Sequence, residues 1–239
     1  MDKAVAQALR YNLRYAGHPA GEQHLTLEPR RDGLRVVLEA NVELPLPKTR
    51  QRWESELDRE GLPRRYRERV EGNGTRLMEV EFSLEDGQVT VSQGKDDFAL
   101  PYLTPMHDPL SLILSIGRLE IEVGQVEKFN LVGGRAYVER LPDQTMQERT
   151  VRVYRLRPGL SLLYFDQEGY PVRLTQKVGE HVFEADLVQV QRLEAHQRLQ
   201  LLEPAQEPSR PRATGARVVS GEPTNGASGR RRRRRRRYY

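Results

Sequence analysis

A mostly β protein is the fold class this sequence predicts: one curved antiparallel sheet or half-open barrel around a single short helix, followed by a disordered tail. Three observations predict it. Apolar and charged residues alternate in short runs from Tyr11 to Gln191, which puts one face of each strand toward a core and the other toward water. Clusters of Gly, Pro, Asp and Asn separate these runs at short intervals, the pattern of a meander. Beyond Pro204 the apolar period stops, and Pro, Ser, Gly, Ala, Thr and Arg take over. The division is therefore a β domain over 1–203 and a disordered Arg-rich tail over 204–239.

Taken in order, Tyr11-Asn-Leu-Arg-Tyr15 alternates, Gly17 to Gly21 turns, and Gln23 to Glu28 alternates again. Arg31-Asp-Gly33 makes the next turn before a run over 34–44. Further strands are expected at 51–57, 64–70, 76–84 and 88–92, with turns at Asp58–Gly61, Glu71–Gly74 and Asp86-Gly87. The segment after Asp108-Pro109 is apolar without alternation, and Pro at a first helical position after an Asp cap predicts a helix over 109–116 that plugs one face of the sheet. Strands are expected again at 119–123, 126–131, 135–141, 148–156, 160–165, 170–178 and 181–191, and a helical turn or two past Leu193.

The chain has no Cys, so a disulfide, a thiolate metal site and a Cys nucleophile are excluded. Its N-terminal apolar run, Ala4 to Leu9, is six residues long, short of the roughly 7–15 of a signal peptide. No stretch approaches the roughly 20 apolar residues of a membrane span. The expectation is a soluble cytoplasmic protein; an envelope location would require a start codon further upstream.

The net charge of +5 divides unevenly. From Pro204 onward there are 11 Arg against Glu207 and Glu222, or +9, while the remaining 28 basic and 32 acidic side chains give −4. The excess positive charge belongs entirely to the tail. Eight adjacent guanidiniums, Arg230, Arg231, Arg232, Arg233, Arg234, Arg235, Arg236 and Arg237, repel one another and keep the segment extended. They suit a polyanion, from which they release condensed counterions, and Tyr238 and Tyr239 add rings that stack on bases. RNA or DNA backbone is the expected partner. Anionic lipid, an acidic protein surface, or an appended tag would satisfy the same physics.

Two segments align without gaps at an offset of 108: Asp58-Arg-Glu-Gly-Leu-Pro-Arg-Arg at the head of 58–70, and Asp166-Gln-Glu-Gly-Tyr-Pro-Val-Arg at the head of 166–178. Asp-x-Glu-Gly suits a type I turn closed by Gly in the left-handed region, and the Pro two residues on suits the start of a bulged or edge strand. Such turn chemistry produces two hairpins of one kind; the matched Arg and Val beyond it raise an internal duplication that grips a ligand twice.

The order of these elements resembles the DUF3108 family. The residues that carry the resemblance are Tyr11-x-x-x-Tyr15-x-Gly17-x-x-x-Gly21, Leu57-Asp58 with Gly61-Leu-Pro63, Val80-x-Phe82, Asp108-Pro-Leu-Ser111 and Gly169-Tyr-Pro171-Val-Arg173. It spans roughly residues 11–191. It implies a bacterial protein of unassigned function, generally sent to the envelope, with an architecture like that of half-open barrels that carry lipids or lipoproteins. A concave cradle for an apolar ligand follows from the resemblance alone.

No enzyme is expected. Asp108 reads as a helix cap, and neighbours such as His107, Asp108 and Ser111 do not form the line of contacts of a hydrolase triad. His18, His24 and Glu22 share a hairpin but fall short of a metal ligand set, so neither a metal nor another cofactor is expected. Gly72-Asn-Gly74 and Gly133-Gly134 are turns rather than phosphate loops. Arg65, Arg67 and Arg69 would share one face of a strand opposite Tyr66, either as an anion-binding stripe or as ladder partners of acids such as Glu54 and Glu56. The reading is a non-enzymatic binding protein whose tail contacts nucleic acid or another polyanion without sequence preference; the alternative is a DUF3108-like carrier or scaffold for an apolar ligand.

Overall fold

The computed structural model describes residues 5–193 except 160 and 179; the tail and the turns expected past Leu193 lie outside them. Eight strands follow one another as hairpins: β1 (Gln7–Tyr15), β2 (His18–Arg30), β3 (Gly33–Val42), β4 (Thr49–Leu57), β5 (Pro63–Glu71), β6 (Thr75–Ser83), β7 (Gln88–Gln93) and β8 (Asp96–Pro101). A two-residue strand β9 (Met106–His107) leads into α1 (Pro109–Gly117). Six more strands complete the fold: β10 (Val126–Leu131), β11 (Gly134–Met146), β12 (Arg149–Arg157), β13 (Ser161–Phe165), β14 (Pro171–Val178) and β15 (His181–Arg192).

All fifteen form one sheet in the order β8-β7-β6-β5-β4-β3-β2-β1-β15-β14-β13-β12-β11-β10-β9. Every pairing is antiparallel except β9 with β10. The first and last described strands meet at its middle, Leu9 opposite Val190 and Leu13 opposite Ala185. Its two edges, β8 and β9, are neighbours in the chain. Among the described residues, the sheet curves but does not close on itself through strand pairing.

Alternation explains the inner face. In β1, Leu9, Tyr11 and Leu13 are buried while Arg10, Asn12 and Arg14 are exposed. A row of opposed residues runs from Leu27 through Val36, Ser55, Tyr66 and Val80 to Val91 across six strands. Burying side chains of this size stabilises the fold by roughly 1.5–3 kcal/mol each before chain entropy is subtracted. α1 lies on this face: Leu110 joins the larger core with Val36 and Leu38, and Leu112 and Ile116 join a second one with Ala136, Val138, Tyr154 and Phe165. A third, smaller cluster of Val151, Val153 and Tyr164 packs separately.

Three expectations are corrected. Residues 119–123 form no strand, although Leu119 and Ile121 point inward and Glu120 and Glu122 outward; the alternation is real, but the segment returns from α1 without a ladder partner. β8 was not expected, since Asp96-Asp97-Phe98-Ala99 has no alternation; as an edge strand it is exposed along most of its length. The region from Gly17 to Gly21 is not all turn, because β2 already begins at His18.

Candidate functional site

The concave face is organised by what holds α1 to it. At its first turn, Asp108 Oδ1 accepts from the backbone N–H groups of Leu110 (2.8 Å) and Ser111 (2.9 Å). Ser111 Oγ accepts from the Asp108 N–H at 3.0 Å, completing a reciprocal cap. The other carboxylate oxygen accepts from the Ser55 hydroxyl of β4 at 2.5 Å. Asp108 is 2% exposed and Ser55 fully buried. Burial pushes the Asp108 carboxyl above its ordinary value of 3.8, against the pull of the hydrogen bonds from Ser55, Ser111 and Leu110. Tyr66, its ring buried beside this group, is raised by desolvation first and by the charges of Glu68 and Asp108 after it. This polar cluster ties the helix to the sheet.

His107 lies next to it but serves another surface. Its ring meets Phe129 edge-on at 5.3 Å, and desolvation lowers its pKa below 6.5. Among the described residues, its buried Nδ1 has no hydrogen-bond partner. Ser111 Oγ donates to the Asp108 carbonyl, so among the described residues its hydrogen bonds all serve the cap.

The last turn of α1 is held differently. Gly117 and Gly169 stand back to back: a Cβ on Gly117 would come within 2.6 Å of the Gly169 carbonyl oxygen, and one on Gly169 within 2.8 Å of that of Gly117. Arg152 donates to the Gly117 carbonyl at 2.8 Å, placing a cation at the negative end of the helix. Between sheet and helix, Leu25, Val36, Leu38, Leu110, Leu114 and Leu174 leave a gap of about 10 Å³, room for one water at most. At these residues α1 packs close against the sheet.

The two aligned turns have the same local structure. In the first, the Asp58 N–H donates to the Leu62 carbonyl (2.9 Å), Gly61 N–H donates to the Asp58 carbonyl (3.2 Å), and Asp58 Oδ1 accepts from Glu60 and Leu62. In the second, Asp166, Tyr170, Gly169 and Glu168 repeat these bonds, at 3.1 Å and 3.2 Å for the backbone pair. Gly61 (φ +87°) and Gly169 (φ +86°) both take the left-handed conformation. A register shift follows each Pro: Leu57 pairs with Pro63 but Glu56 with Arg65, and Phe165 pairs with Pro171 but Tyr164 with Arg173. The hairpins do not pair with each other; β3, β2, β1 and β15 lie between them.

Arg65, Arg67 and Arg69 share the outward face of β5, each against carboxylates. Arg65 bonds Glu79 and lies 3.5 Å from Glu81, Arg67 bonds Glu79 at 3.1 Å, and Arg69 bonds Glu71 at 2.6 Å. Hydrogen bonding to Glu79 raises Arg65 above its ordinary value. Desolvation works to raise Glu79, but its bonds from Arg65 and Arg67 prevail and hold the carboxyl below 4.5. The expected acids, Glu54 and Glu56, stand opposite Arg67 and Arg65, though Glu54 bonds Arg35 of β3. His24 lies 3.8 Å from Glu22. Among the described residues, no group of three or more His, Asp or Glu is placed to hold a metal ion. Arg230 to Arg237, Tyr238 and Tyr239 lie outside the described residues.

Ser55 and Arg152 carry the helix contacts that sequence reasoning missed. Ser55 was detectable: alternation places Trp53, Ser55 and Leu57 on one face, so a hydroxyl occupies an inward slot that needs a partner. Arg152 gave no such sign, because its acceptor lies 35 residues away in sequence.

Among curated proteins, none matches this chain. In fold it is similar to the crystal structure of a β-barrel-like protein of the domain of unknown function DUF1849 from Brucella abortus. The TM-score is 0.54 and the identity 14%, over 80% of this chain and 99% of that one. At that identity the likeness concerns the fold alone. Among the described residues, no helix is long and apolar enough to cross a membrane. The family description "Protein of unknown function (DUF3108)" matches residues 10–170, from β1 through the second aligned turn, and the chain belongs to the DUF3108 family.

Proposed function

We propose that this protein is a non-enzymatic binding protein that a C-terminal cationic segment tethers to nucleic acid or a similar polyanion. The observation that carries this reading is the division of charge. Several outward arginines of the sheet face carboxylates across the strands: Arg35 with Glu54, Arg155 with Glu139 and Arg173 with Asp186. The segment from Pro204 onward instead holds 11 Arg against two Glu. Filter binding of single-stranded RNA and DNA tests it, comparing the full chain with one in which Arg230 to Arg237 are replaced by serine. The expected log–log salt slope is about −0.7 for each phosphate neutralised, and it collapses toward zero in the serine variant. Equal binding by both chains would end this reading.

A carrier role is the second reading, and the observation that favours it is the apolar face beneath α1. Leu25, Val36, Leu38 and Leu174 would offer an apolar ligand a continuous surface once α1 moved aside. Native mass spectrometry of protein purified without detergent would show a retained lipid mass; a bare polypeptide mass counts against it.

A further inference from the structure

The two aligned turns share their hydrogen bonds and differ in what stands beside them. Next to Gly169 the helix end is packed shut against the turn. Next to Gly61 there is instead a hollow of about 300 Å³, formed where the turn after β4, the turn after β2 and the end of α1 come together. Four arginines line it: Arg30 at the end of β2, Arg31 from the turn that follows, Arg59 from the β4 turn, and Arg118 at the C-cap of α1. Asp58 is the sole carboxylate among the residues that line it, and its Oδ1 is occupied by two backbone N–H groups. The volume is at the lower end of the range of small-molecule sites.

From this juxtaposition we propose that the hollow between Arg31, Arg59 and Arg118 binds a phosphate group. Arg30 is partly engaged by Glu28 at 2.9 Å, and Arg59 by Asp32 at 3.6 Å and the Arg31 carbonyl at 3.3 Å. Arg31 and Arg118, among the described residues, reach no carboxylate within ion-pair distance, so their guanidinium forks are available to a dianion. The Arg118 guanidinium stands 3.5 Å from where a Cβ of Gly61 would be, which directs it over the turn and into the hollow. Ser115, Leu34, Leu57 and Leu114 also line it.

The negative end of a helix would repel an anion, but here that end is already served. The Arg118 N–H donates to the Ser115 and Ile116 carbonyls, and Arg152 donates to that of Gly117. The second turn supplies an internal contrast: Gln167 stands where the first has Arg59, and Gly117 fills the space beside it. A phosphate free in solution and one carried on a lipid headgroup present the same acceptor oxygens to the arginines.

Isothermal titration with inorganic phosphate tests the site on the full chain, both as it stands and with Arg230 to Arg237 replaced by serine. The serine background separates this site from the proposed tether, so either can fail alone. One saturable event is expected in both chains. It weakens about tenfold in Arg31→Gln and in Arg118→Gln, the loss of one charged hydrogen-bonding group, and is unchanged in Arg135→Gln, an exposed arginine outside the hollow. Circular dichroism melts confirm that each variant folds. Co-sedimentation of the serine-background chain with phosphatidylcholine vesicles, with and without phosphatidic acid, assigns the source. Pelleting that depends on Arg31 and Arg118 identifies a headgroup, and phosphate heat without pelleting identifies a free phosphate. Neither heat nor pelleting in the serine-background chain with Arg31 and Arg118 intact, or equal weakening in Arg135→Gln, overturns the proposal.

Discussion

Two turns with one hydrogen-bond pattern hold opposite relations to the helix between them. The Asp58 turn belongs to the half of the sheet whose strand β4 grips the start of α1, through Ser55 and Asp108, and the turn itself stays open. The Asp166 turn belongs to the half that grips the end of α1, through its own backbone and Arg152, and it is closed. The local sequence Asp-x-Glu-Gly-x-Pro therefore builds a turn and no more. Whether that turn becomes a brace or a rim depends on whether a residue without a side chain faces it, as Gly117 does.

The largest test of this contrast is substitution of the two turn glycines. Gly61→Ala places a Cβ at positive φ with only the flexible Arg118 side chain nearby, at a cost of about 1 kcal/mol. Gly169→Ala adds to the same strain an overlap with the Gly117 carbonyl, for about 3 kcal/mol in total. Gly117→Ala, which meets both Gly169 and the Phe165 ring, should resemble Gly169→Ala. Urea unfolding measures all three. Equal losses at Gly61 and Gly169 would show that the second turn does not brace the helix.

Smaller effects are expected from the turn aspartates. Asp58→Ala and Asp166→Ala each remove a side-chain acceptor serving two backbone N–H groups, and each should cost about 1 kcal/mol. The test is their equality in urea midpoints. A loss confined to Asp166 would mean that Asp58's bonds contribute little in an open turn.

The smallest effect is one of pH, at the opposite end of α1. Burial raises Asp108, so the folded chain holds this proton more tightly than the unfolded chain does. Its contribution to stability is full below the ordinary value of 3.8 and is lost as pH rises through the raised value. Glu79, held below 4.5, contributes with the opposite sign, its stabilisation being lost as pH falls. The Asp108 part is isolated by subtracting the urea stability of Asp108→Asn from that of the wild type at each pH. The difference should move against the wild type from acid to neutral conditions. A flat difference would show that the Ser55 side of the clamp holds a carboxyl with no preference for its proton.

Much of the β architecture was legible because it follows from short-range rules. Alternation identifies which side chains of β1, β4 and β6 face inward, and turn chemistry marks Asp58 and Asp166 from their neighbouring residues alone. The Asp108-Pro109 pair located α1 because capping satisfies N–H groups within its own first turn. Pairing across the chain obeyed no such rule. That β1 meets β15, that β8 and β9 become edges, and that 119–123 finds no ladder partner were decided by which strands the curved sheet brought side by side. The same holds for Ser55 against Asp108, Gly117 against Gly169, and the four arginines around one hollow, since each joins residues whose separation in sequence carries no periodic signal. Hydrogen bonds and close contacts of that kind exist only once tertiary folding has set their distances.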